Sequence, residues 1–566
     1  MASLFCSPLC RATRIFGFSE FLVALTLLVV VYTIADVRYK FRIAVTPGAL
    51  YLTTFLLIAA IGLQTLLTEV WIAEHWWVPR TAGLTYSIWQ GIFGLLFLGT
   101  FLTWMYYAFI RPPIFSKQNA LRYARALYAC VLRGADDELK VIANELARSA
   151  ESLIRNSKLL RNDLPGNETR RQVETKKKPG VEDYAHDVLL LIANRRLCRQ
   201  IVASSPITAQ VFFESMGKLS KYDIPIGSFA RNISAEAIAQ KGSFLYNESE
   251  GFSSGLLGYL KPVSKAIYGN FELVEAVGRQ FRSPLDIEYD EYDKWDAMQW
   301  DAYGRVILLT LKDCLAKRLA SGSTFTLNRA MGSIRSAFGD LYKLNNAPET
   351  YDTDTSARFS VAVRFAKDAI DLIDEEPNPP KPRPRVRERA NREDIYDQLA
   401  NLIFEMCLAA AGVKSPPDTS WSIHYVALWG TIFGGLNDGA AWRIVQHKVR
   451  RLLYNEIVRL GELPNYKGSR ILGFCLNVLG MTPAKKPGNI NRDSYALAKA
   501  VHSWTKKHYL WLREQNPDVA DSVLIGSVSF DAANNRLVKT YFKGLNREAP
   551  KVFLDLEKST PPARRK

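Results

Sequence analysis

The sequence predicts a mainly α fold: an N-terminal membrane region of three transmembrane helices, then a large α-helical cytosolic region with one short β-hairpin near the C-terminus. Three observations predict it. Long uncharged apolar runs are confined to residues 15–110. Apolar residues then recur at three-and-four spacing through most of the remaining chain. Strand-like alternation bounded by turn residues is clear only around 523–542.

Residues 1–14 form a short tail. The first apolar run, within 15–35, is followed by Ala35-Asp36-Val37-Arg38 and lacks a small-residue cleavage site, which favours an uncleaved anchor over a signal peptide. The second span, 47–69, falls almost wholly within a stretch without charge from Ile43 to Thr68. At ~1.5 Å per residue that stretch exceeds a hydrocarbon core of ~30 Å. Trp71, Trp76 and Trp77 follow it, where indole rings favour the head-group layer. The third span, 85–110, ends at Arg111-Pro112-Pro113.

Orientation follows from the basic residues beside the spans. Arg38, Lys40 and Arg42 lie in the first loop, Arg80 in the second, and Arg111, Lys117, Arg122 and Arg125 after the third. The positive-inside rule places the first loop and the large domain in the cytoplasm. Ser87 and Gly91 form a small-xxx-small pair that suits helix–helix packing and a homo-oligomer. The cores of the second and third spans carry Gln64 and Gln90 but no ionisable residue, which disfavours a pump or transporter.

Beyond the membrane, residues 111–161 read as a juxtamembrane helical hairpin, with Asp136-Asp137-Glu138 opening its second helix. Residues 162–180 are a basic linker. A helical domain is expected over 181–376, with one helix from Glu182 to Ser205 and an irregular segment from Tyr222 to Leu260. The Pro/Arg-rich stretch 377–390 reads as an extended connector. A second, mainly helical domain covers 391–560, including a buried helix from Ile423 to Leu436 and the hairpin at 523–542. The tail 561–566 is basic.

The 73 Lys and Arg against 56 Asp and Glu give a formal net charge of +17. This favours anionic surfaces. Lipid head groups suffice as the partner of a basic cytosolic domain, and nucleic acid is disfavoured. The seven cysteines are odd in number and widely separated, the usage of reduced thiols and not of a disulfide framework.

No motif names a reaction. Gly251-Phe252-Ser253-Ser254-Gly255 matches G-x-S-x-G, making Ser253 a candidate nucleophile, but no strand-like segment precedes it as the elbow requires. Asp293 lies among Glu288, Asp290, Glu291, Asp296 and Asp301, an acidic group without EF-hand spacing. His424, His447, His502 and His508 lack metal-ligand spacing. No catalytic, cofactor or metal residue is assigned, and no cofactor is expected. Arg443, Lys448, Arg450, Arg451, Lys506 and Lys507 are candidate contacts to lipid or a partner.

The reading that follows is a non-enzymatic integral membrane protein that anchors a cytosolic helical interaction or sensing domain, with an unidentified protein partner. The alternatives are a membrane-anchored enzyme with an unrecognised site, an oligomeric channel, and a membrane-tethered nucleic-acid binder.

Overall fold

The structure, a computed structural model, describes residues 16–34, 36–47, 50–74, 86–159, 179–248, 262–279, 282–286, 294–319, 324–346, 353–382, 393–434, 439–482, 492–541, 549–559 and 561–562. The chain divides into two compact units, Met1–Glu236 and Ala237–Lys566. It is mainly helical with a small antiparallel sheet near the C-terminus.

The first unit begins with α1 (Phe18–Ile34), the short amphipathic α2 (Val37–Ala44), α3 (Leu50–Ala73) and α4 (Tyr86–Met105), which ends in a π turn, Tyr106–Ile110. Two stretches, Leu52–Ala73 and Ser87–Ile110, are long and apolar enough to cross a membrane. The expected third span is corrected. α1 has 17 residues, roughly 25 Å of helix against a hydrocarbon core of ~30 Å, and its apolar stretch reaches only from Phe18 to Val30. The backbone N–H of Phe18 donates to Glu69 Oε1 at 2.9 Å, so the first turn of α1 lies against the last turns of α3. Phe21 buries itself with Ile61 and Phe93. The close approach requires Gly62, where a Cβ would stand 2.6 Å from the Phe21 ring.

Beyond Ile110 the first unit is a layered helical array: α5 (Ala120–Arg133), α6 (Asp136–Asn156), α7 (Val181–Leu191), α8 (Arg195–Ser204), α9 (Pro206–Leu219) and α10 (Gly227–Ala239), the last running into the second unit. Gly134 and Ala135 alone separate α5 from α6, and the two helices pack as a pair. Their apolar face buries Leu127, Val131, Leu139, Ile142 and Leu146. The single helix expected from Glu182 to Ser205 is two helices, because the Asn194 side chain accepts from the N–H groups of Arg196 and Leu197 and starts α8 afresh. The expected irregular segment from Tyr222 contains α10, whose Phe229, Ala230, Ile233, Ala237 and Ile238 are buried at helical spacing. At the C-terminus of α6, Lys221 donates to the carbonyls of Arg155 (3.0 Å) and Ser157 (2.6 Å). A cation belongs at the negative end of a helix.

The second unit contains α11 (Val263–Tyr268), α12 (Phe271–Gly278), α13 (Ala297–Ala316), α14 (Phe325–Ser333), α15 (Asp354–Glu375), α16 (Ile395–Ala410) and α17 (Pro417–Trp421), which continues as a π-helix, Ser422–Trp429, and a final turn, Gly430–Phe433. Then follow α18 (Ala440–Glu462), α19 (Tyr466–Leu479), α20 (Arg492–Gln515) and α21 (Pro517–Asp521). Helices on both sides of the Pro-rich connector pack together here, α15 against α16 and α18. Asp374 of α15 caps α18 by accepting from Ala441 N at 2.7 Å, while Asp371 accepts from the Trp442 indole at 2.7 Å. The connector itself is tied down where the Tyr396 hydroxyl donates to Pro380 O at 2.8 Å.

Within the segment expected to be a buried helix, Ser422–Trp429 is a π-helix and Gly430–Phe433 an α turn; Ile423, Leu428, Trp429 and Ile432 are buried, while Val426 is 61% exposed. The expected hairpin is part of a three-stranded antiparallel sheet, β1 (Val528–Asp531), β2 (Arg536–Thr540) and β3 (Lys551–Asp555), in the order β1-β2-β3. Ser529 faces Val538, and Val538 faces Phe553. The central strand buries Leu537, Val538 and Lys539.

Candidate functional site

Arg42 stands between the buried Phe41 and Ile43 on α2. Its Nε donates to Glu145 Oε2 at 2.9 Å and its Nη2 to Glu145 Oε1 at 2.6 Å, a two-point pair with α6. Its remaining arm, Nη1, donates to the carbonyl of Ala108 at 2.8 Å, inside the π turn that ends the second candidate span. The last carbonyls of a helix have no partner within it and carry its negative end, so one guanidinium joins three elements and neutralises that end.

Neighbouring side chains repeat the device. Asn119 Nδ2 donates to Val45 O at 2.7 Å and to Ile114 O at 2.9 Å, and Arg122 Nη1 donates to Thr46 O at 3.0 Å. Beneath them Tyr123 packs edge-on against Phe41 at 5.6 Å and Phe115 at 5.5 Å. Burial pushes its hydroxyl well above the usual phenol range. The joint between the candidate spans and the helical array is therefore a packed, hydrogen-bonded connection and not a free tether.

A second polar cluster lies between the π-helix, the end of α19 and β2. Lys539 is 1% exposed. Its ammonium donates to Asn477 O in the last turn of α19, and it stands 5.0 Å from the Trp421 ring centre and 4.9 Å from that of Tyr541. No carboxylate among the described residues pairs with it, and burial pushes its pKa down to about 8. The Asn477 side-chain amide lies 3.0 Å from His424 Nδ1, and His424 Nε2 lies 2.7 Å from Ala410 O. These partners specify the neutral ring with its proton on Nε2. Burial drives its pKa down to about 4. Desolvation favours the neutral amine, the form in which a lysine is a nucleophile, but this group is enclosed by a carbonyl and two ring faces, so the arrangement is a helix cap.

The residues singled out from sequence are dispersed. Ser253 and Asp293 lie outside the described residues. Asp296 caps α13 through Gln299 N at 3.0 Å, and Asp301 pairs with Arg305 at 3.3 Å. Arg443, Arg451, Lys506 and Lys507 are exposed and Arg450 is half-buried, its guanidinium 4.9 Å from the Phe433 ring centre. Lys448 is corrected: it is 3% exposed and pairs with Asp397 at 2.5 Å and Asp394 at 3.5 Å, so it is not available to lipid or a partner. Burial raises the Asp397 carboxyl against the pull of that ammonium. Ser87 is half-buried, and a Cβ at Gly91 would meet nothing within 4 Å.

Among the described residues no group of three or more His, Cys, Asp and Glu is placed to hold a metal ion. The thiols of Cys198, Cys314, Cys407 and Cys475 are free and buried, and burial raises each, Cys475 and Cys314 to about 12. Such thiols are unreactive. Sequence reasoning missed the Arg42–Glu145 pair and Lys539. The one available signal for the first was a charged residue flanked by apolar neighbours beside a span. No protein-family model matches the chain, and no curated protein or solved structure is found to be similar to it.

Proposed function

We propose that the chain is a non-enzymatic integral membrane protein that holds a large helical interaction or sensing body at the cytoplasmic face of a membrane. The single observation that carries this reading is the Arg42–Glu145–Ala108 junction, which ties the end of one candidate span to the helical array by three hydrogen bonds. A junction of this kind transmits position and orientation, which a scaffold or sensor needs and a flexible tether cannot supply. The basic flanks at Arg38, Lys40 and Arg42 and at Arg111, Lys117, Arg122 and Arg125 supply the orientation. Exposed Arg443, Arg451, Lys506 and Lys507 offer the second unit a basic contact surface. A protein partner, and self-association through the open face at Ser87 and Gly91, belong to the same reading.

The test is purification of the full chain from membranes in mild detergent, after alkaline carbonate washing, with identification of bound proteins. Retention in the washed membranes with a stoichiometric partner supports the reading. Release into the wash overturns the anchor. Loss of function in Ser253→Ala or Asp293→Ala with folding intact overturns the non-enzymatic assignment.

A further inference from the structure

The α5 helix has two distinct faces. Ala120, Tyr123, Leu127 and Val131 are buried against the helical array. On the outer side Leu121, Tyr128 and Leu132 are exposed at 39%, 56% and 56%. At about 100° per residue these three fall within roughly 40° of one another, forming one apolar stripe. Arg122, Arg125 and Arg133 flank it, and no Asp or Glu occurs anywhere from His75 to Ala135. Between the end of the second candidate span and this stripe, Ile110 and Ile114 are also exposed, at 74% and 49%. The start of α5 is held at the α2–α3 turn by Asn119 and Arg122, which keeps it beside the ends of both candidate spans.

We propose that the outer face of α5 rests on the anionic lipid surface of the leaflet from which α4 emerges, with Leu121, Tyr128 and Leu132 entering the head-group layer and Arg125 and Arg133 meeting lipid phosphates and carboxylates. An apolar stripe bordered by basic residues is the composition that binds such an interface. An exposed stripe of this size in water would instead be an adhesion hazard. The surface differs from the basic residues of the second unit in following a candidate span closely along the chain. This proposal rests on the membrane-anchor reading.

The test uses the full chain reconstituted in phosphatidylcholine vesicles with or without phosphatidylserine, the lipids carrying brominated acyl chains. A fluorophore is placed at Leu132→Cys, and in a parallel protein at Leu95→Cys on α4, in a background with Cys6, Cys10 and Cys130 replaced by serine. The expected result is quenching of both labels in phosphatidylserine vesicles, with the Leu132 signal losing most of its quenching in pure phosphatidylcholine or when Arg125 and Arg133 are changed to Glu. Quenching at Leu95 without quenching at Leu132 overturns the proposal and leaves the anchor standing. Equal quenching at Leu132 in both vesicle types and in the charge-reversed protein overturns the anionic assignment. Absence of quenching at Leu95 removes the anchor reading, and this proposal with it.

Discussion

Arg42 and Glu145 are 103 residues apart in sequence and meet in a two-point pair, with hydrogen bonds of 2.9 and 2.6 Å. Both side chains are nearly buried, at 11% and 8% exposed, so removing one leaves the other charged and desolvated. Glu145→Ala is expected to destabilise the full chain in detergent by about 3–5 kcal/mol, and Glu145→Ala with Arg42→Met by less, because the double change leaves no orphaned charge. Thermal unfolding and protease sensitivity at the α2–α6 junction measure this. An unchanged melting temperature in Glu145→Ala would contradict it.

The Lys448–Asp397 pair follows the same logic inside the second unit. Asp397→Ala should cost about 3–5 kcal/mol, whereas joint replacement by Leu at Asp397 and Met at Lys448 should cost much less. The capping role of Asp397, which accepts from Asp394 N, sets a remaining loss of about 1 kcal/mol for the joint variant. A double-mutant cycle by chemical denaturation separates the two contributions.

Stability should depend on pH in two windows. His424 is held neutral down to about 4 in the native protein, while the unfolded chain takes up a proton near the usual ~6.5. The unfolded state therefore binds more protons between these values, and stability falls as pH drops from about 6.5 to 4. Lys539, depressed to about 8, gives the same sign at higher pH: its native form releases a proton before the unfolded form does near ~10.4, so stability rises as pH climbs from about 8. Replacing Lys539 by Met should abolish that alkaline rise and leave the acid fall. Melting curves across both windows read the outcome.

Glycines on the candidate spans should differ sharply. Gly62→Ala places a methyl group 2.6 Å from the Phe21 ring and should loosen α1 from α3 at a cost of about 1–3 kcal/mol. Gly91→Ala meets no atom within 4 Å and should leave the folded monomer within about 0.5 kcal/mol of its original stability. Any effect of Gly91→Ala should appear only in the oligomeric state, as measured by light scattering in detergent.

Much of the helical architecture was legible because amphipathic helices advertise themselves by spacing. α5, α6, α9, α13, α15, α16, α18 and α20 all follow apolar residues at three-and-four intervals that the sequence displays openly. The failures have local physical causes. Asn194 capped a new helix within a periodic run, which spacing does not register. The Gly- and Ser-rich composition around α10 masked the buried row from Phe229 to Ile238. β3 is only 5 residues long and buries Leu554 alone, so it reads as a fragment without its partner strand. α1 was overread because apolar character was counted without the length of the helix that carries it. The candidate sites were less legible still. Lys448 looks like any basic residue of an amphipathic helix, and its burial depends on two carboxylates more than 50 positions away. Arg42 needs the carbonyl of Ala108 and the carboxylate of Glu145, which only the tertiary fold assembles.

The central claim is that α3 and α4 cross a membrane as a hairpin and deliver the helical array to the cytoplasmic side. Reporter fusions after Arg80 and after Ala120 test it most directly. The account predicts opposite sides, the first outside and the second cytoplasmic; identical sides would contradict it.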